Sequence, residues 1–63
     1  MKATVTYKTG NSIMTMTVDE VMKIEKVFVT SGGTTYEETR VYTSDWHWRS
    51  WISKGIINIF LEA

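Results

Sequence analysis

Trp46-His47-Trp48-Arg49-Ser50-Trp51 gathers every tryptophan, the only histidine and an arginine of a 63-residue chain into six consecutive positions. Indole and guanidinium groups bury a large area and still reach polar partners, which is why they dominate the energy of interfaces. The segment therefore suggests contact with a protein partner, with Trp46 and Arg49 as anchors and His47 and Ser53 beside them. A second chemistry is stacking. Trp46, Trp48, Tyr36 and Tyr42, aided by Arg40, Arg49 and Lys54, could offer ring faces to the bases of a single-stranded nucleic acid.

Catalysis finds less support. Asp45-x-His47 hints at a base oriented by a carboxylate, but residues two apart diverge on a helix, and a triad needs a nucleophile and an oxyanion hole besides. Asp19, Glu20, Glu25, Glu37, Glu38 and Glu62 lack the spacing of a calcium loop, and one histidine cannot build a transition-metal site. Glu37 and Glu38 are strand neighbours that point to opposite faces, so they cannot easily share a proton. No phosphate-binding or dinucleotide fingerprint is present. The expectation is a binding protein without catalytic residues, metal or cofactor.

Composition narrows the partner. Seven basic and seven acidic residues cancel, which removes the broad attraction that drives non-specific binding to nucleic acid or anionic membranes. That favours a protein partner over a nucleic acid. Met1-Lys2-Ala3-Thr4-Val5-Thr6-Tyr7 alternates instead of forming an apolar run, and no apolar stretch approaches the roughly 18 residues of a membrane span, so a cytoplasmic protein is the default expectation. A compact chain without cysteine or proline that begins at Met1 is of a kind encoded by phages and other mobile elements, whose small proteins act by blocking or bridging a larger host factor. An inhibitor or adaptor is the corresponding expectation.

The elements that must position these residues form one domain over residues 1–63. At this length only about 60% of the unfolded surface becomes buried, so the core is thin and no disulfide reinforces it. The first hairpin is the best specified. A two-residue loop at Gly10-Asn11 sets Val5 opposite Met16, Tyr7 opposite Met14 and Ala3 opposite Val18 on one face, with threonines on the other. Ser31-Gly32-Gly33-Thr34 marks a second turn, which places Val29 opposite Tyr36 and Glu25 opposite Arg40.

Two short helices are expected between the strands. Thr17-Val18-Asp19-Glu20 fits a capping box, with Val18, Val21 and Met22 on one helical face. Ser44-Asp45 can cap a second helix that Gly55 closes in the left-handed conformation. On that helix Trp48, Trp51 and Ile52 face the core, while Trp46, Arg49 and Ser53 face away; a strand is the competing reading of the segment. The resulting fold is α+β, a small mainly antiparallel sheet in the order β-β-α-β-β-α-β, with a five-stranded barrel as the alternative. Ile56-Ile57-Asn58-Ile59-Phe60-Leu61 reads as a strand apolar on both sides, which suggests a homodimer that buries Ile56 and Phe60.

Overall fold

The computed structural model describes residues 1–63 and contains no α-helix. Six strands run in chain order: β1 (Lys2–Thr9), β2 (Ser12–Val18), β3 (Val21–Ser31), β4 (Thr34–Thr43), β5 (Trp48–Ile52) and β6 (Ile56–Glu62). A 3₁₀ turn at Ser53–Gly55 joins the last two. They form two three-stranded antiparallel sheets, ordered β2-β1-β6 and β3-β4-β5, which do not close into a barrel. The α+β fold with two helices is thus overturned, and so is the five-stranded barrel.

Both hairpins adopt the registers that their turns specify, and in the first alternation points to the same pairing. Ala3 pairs with Val18, Val5 with Met16 and Tyr7 with Met14, and Gly10 takes the positive φ of 62° that a loop led by glycine requires. Val29 pairs with Tyr36 and Glu25 with Arg40 across Gly32-Gly33.

The first expected helix fails because its cap is already in a ladder. Thr17 and Val18 pair with Thr4 and Ala3. A helix of one or two turns is marginal by itself, whereas Val21, Ile24, Val27 and Val29 suit an extended chain. Asp19-Glu20 instead bends the backbone from the first sheet into the second, with Glu20 at a φ of 58°. Two backbone hydrogen bonds hold the bend, the Val21 N–H donating to the Met1 carbonyl at 2.7 Å and the Ser44 N–H to the Glu20 carbonyl at 3.0 Å, and the Ser44 hydroxyl adds a third by donating to Glu20 Oε2 at 3.0 Å.

The second helix fails for a related reason. Trp48–Ile52 pairs with Glu38–Tyr42 of β4, and the capping groups Ser44 and Asp45 serve a hairpin loop instead. Gly55 ends a 3₁₀ turn and does not enter the left-handed region.

The core lies where the sheets face each other. Ala3, Val5, Val18, Val21 and Val41 are buried, with Met16, Ile24, Trp51 and Ile59 packed at the margin. Thr39 is the one buried polar residue, and its hydroxyl meets that of Ser53 at 2.6 Å, tying β4 to the 3₁₀ turn. Only six of 63 residues are buried, and the accessible surface is 4530 Å². A monomer of 7.3 kDa is expected to expose about 4,200 Å², so this fold leaves roughly a tenth more surface in water. Part of the excess is the far end of the β3–β4 hairpin, which is longer than β1–β2 and leaves Phe28 exposed.

Candidate functional site

In β4 the side chains alternate between the core and the opposite face. Thr39 and Val41 point inward; Tyr36, Glu38, Arg40 and Tyr42 therefore point outward. The ladder register adds their neighbours. Lys23, Glu25, Val27 and Val29 of β3 and Trp48, Ser50 and Ile52 of β5 share this outer face.

The outer face is aromatic and internally neutralised. The Tyr42 and Trp48 rings lie 5.7 Å apart at 42°, a tilted pair. Lys23 Nζ sits 4.7 Å from the centre of Tyr42, and the Arg40 guanidinium 5.4 Å from that of Trp48. Each cation also has a carboxylate. Arg40 Nε donates to Glu38 Oε1 at 2.8 Å, and this bond, with help from Tyr42, raises the guanidinium above its already high pKa. Lys23 Nζ approaches Glu25 Oε2 at 3.9 Å, while the Tyr42 hydroxyl donates to Glu25 Oε1 at 3.2 Å. Trp48 and Ile52 remain about half exposed at the β5 edge.

Next to this face, the loop Ser44–His47 presents Trp46. Thr43 and His47 close the loop, the Thr43 N–H donating to the His47 carbonyl at 2.9 Å and the Trp46 N–H to the Thr43 carbonyl at 3.0 Å. The Asp45 carboxylate organises it from within. It accepts the Thr43 hydroxyl, the His47 N–H at 3.3 Å and a contact with His47 Nδ1 at 3.0 Å. The first two donors hold Asp45 below the usual carboxylate range. Trp46 itself stands at a φ of 66° with 67% of its surface exposed. A bulky residue in the left-handed region is strained, and nothing in the core compensates it.

The sequence-derived residues separate into groups. Arg40, Tyr42 and Trp48 come together on the outer face, with Trp46 in the neighbouring loop, while Tyr36 lies on the same face but six residues along β4 from Tyr42, opposite Val29. Trp46, His47, Arg49 and Ser53 do not form one surface. Arg49 pairs with Val41 and so leaves β5 on the core side, where it lines a polar groove with Asp19, Glu20, Thr43 and His47. Ser53 is half-buried against Thr39. Trp51 also faces inward, its ring 5.7 Å from that of Tyr7. Ile56 lies opposite Tyr7 and Phe60 opposite Thr4, and a bulge between these positions sends the two side chains to different faces.

Asp45 and His47, which would diverge on a helix, converge in the loop. Even so, the adjacent Thr43 hydroxyl donates to Asp45 rather than to the imidazole. No group of three or more potential metal ligands is present, and no helix is long and apolar enough to cross a membrane. Sequence reasoning did not include Lys23, Glu25, Glu38 and Ile52 in the site. Glu38 and Arg40 were legible as an i,i+2 pair on one strand face; Ile52 was not, because its face depends on the partner of β5. Compared with protein-family models, curated proteins and solved structures, the chain matches none.

Proposed function

We propose that this chain is a small protein-binding module. Its docking surface is the outer face of the β3-β4-β5 sheet, centred on Tyr42, Trp48 and Ile52, with Trp46 in the adjoining loop as a projecting anchor. The observation that carries this reading is the self-neutralised aromatic face. Arg40 and Lys23 each stand over a ring and beside a carboxylate, so the face offers large apolar contacts and orientation without net charge.

That is the composition of an energetic centre in a protein interface, where tryptophan, tyrosine and arginine prevail. The fitting partner is a larger protein with an apolar pocket for an indole and little excess charge around it. The module contributes no chemistry of its own; it acts by occupying a surface, as an inhibitor or adaptor does.

Stacking on single-stranded nucleic acid is the rival reading, because Tyr36, Tyr42 and Trp48 share a face. It requires cations free to follow phosphates, and the cations of this face are engaged by Glu25 and Glu38.

Capture from the native cell extract, run in parallel with wild type, Trp48→Ala and Trp46→Ala, tests the proposal. A protein retained by wild type in high salt and lost with both variants supports it. Retention unaffected by either substitution refutes it, as does salt-sensitive retention on single-stranded DNA without any protein partner.

A further inference from the structure

We infer that β6 is a self-association edge, through which two copies of the chain join into one continuous six-stranded sheet. β6 ends the order β2-β1-β6, so the backbone N–H and C=O groups on its outer side have no strand to pair with. Such a row of donors and acceptors selects another strand as its occupant.

The four sheet edges differ in how they are protected. β3 carries Lys23, Glu25 and Lys26, and β5 is only five residues long with the charged Arg49 as its second residue. From Met14 to Val18 β2 alternates apolar residues with threonines, so one of its faces is suited to water except at the exposed Ile13 beside the turn. Between Ile56 and Leu61, β6 has no charge, no proline and a single polar residue, Asn58. Phe60 on one face and Leu61 on the other are both about half exposed, as is Ile57 at the bulge. A strand apolar on both faces and open along its edge is the arrangement that proteins otherwise guard against.

A second copy of this chain fits that edge. An antiparallel two-fold axis through Ile59 sets Ile59 against its own copy, Phe60 against the partner's Asn58 and Leu61 against the partner's Ile57. The only charge on the strand, Glu62, falls at the end beside the partner's Ile56 and is held by Lys2 at 3.6 Å, so no like charges oppose each other. The surface left open by a six-residue core gives this pairing apolar area to remove from water.

Hydrogen exchange and sedimentation, both measured across protein concentration from nanomolar to high micromolar, test the inference. The expected mass is twice the 7.3 kDa of one chain, and the outward-facing β6 amides should exchange at least roughly tenfold more slowly in the dimer than in dilute solution. Phe60→Glu brings acidic groups toward each other across the axis and should restore a monomer. Because Phe60 is exposed, the variant should keep its circular dichroism spectrum. If it does not fold, the wild-type exchange measurement still decides. A monomer at every concentration, a dimer with unprotected β6 amides, or larger assemblies that protect β5 as well as β6 would each overturn the inference. The outer face of the other sheet takes no part, so a failed dimer leaves the proposed docking surface standing, and the reverse holds too.

Discussion

Tyr7 of the β2-β1-β6 sheet and Trp51 of the β3-β4-β5 sheet meet ring to ring, with centroids 5.7 Å apart and planes inclined by 50°. This contact joins the two sheets, and Trp51 also packs against the core cluster of Ala3, Val18, Val21 and Val41. Trp51→Ala removes it and should cost about 2–4 kcal/mol, the lower part of the core range because Trp51 is half-buried. A domain of this length has about 3–9 kcal/mol to lose, so urea denaturation should show a strongly lowered midpoint. An unfolding free energy within about 1 kcal/mol of wild type would mean that the rings do not bind the sheets together.

Trp46 should behave in the opposite way. Its left-handed backbone is strained for a large side chain, so Trp46→Gly is expected to raise stability by about 0.5–1 kcal/mol despite the entropy that glycine adds to the unfolded chain. The same substitution should weaken partner binding by about 2 kcal/mol, roughly thirtyfold. Stability and binding measured on one protein sample make the comparison; a variant that is less stable yet binds normally would contradict the assigned role.

Asp45 gives the loop a pH dependence with a definite sign. Its carboxyl is held below its ordinary value, near pH 4, by the Thr43 hydroxyl and the His47 N–H. Between the folded and unfolded values the unfolded chain therefore binds more protons. The contribution is complete above about pH 4 and is lost as pH falls through the folded value. The Thr43 and His47 amide resonances should move in that acid window and stay still in Asp45→Asn. An equal movement in the variant would assign the change to another carboxylate.

Thr39 and Ser53 offer a double-mutant cycle. With 1% of Thr39 exposed, Ser53→Ala leaves its hydroxyl buried without a partner and should cost about 1–3 kcal/mol. Adding Thr39→Val removes the orphaned group, and thermal or urea unfolding should recover most of that loss. Additive losses would show that the hydroxyl pair is not the source.

How far this protein could be read in advance followed the range over which each force acts. Gly10-Asn11 and Gly32-Gly33 carry their turn geometry within two residues, so both hairpins were legible; alternation beside the first leaves one register that keeps Val5 with Met16 and Tyr7 with Met14, whereas neither face of the second is cleanly apolar and its pairing rested on the turn alone. The same register placed Arg40 opposite Glu25, half of the neutral aromatic face. Trp48-Arg49-Ser50-Trp51-Ile52 is different. Its apolar positions satisfy a helical period as well as a strand ladder, and its local caps favoured the helix. Hydrogen bonds and packing from β4 decided for the strand, which turned Trp48 outward beside Tyr42 and Trp51 inward beside Tyr7. The bend at Glu20 and the bulge that parts Ile56 from Phe60 likewise depend on neighbours supplied by distant segments, the first on Met1 and Ser44 and the second on β1. Sequence alone thus determined the turns and the pairing they impose, because those interactions are local. Tertiary structure decided which face each tryptophan occupies, because a short amphipathic segment takes its conformation from the strand that satisfies its backbone.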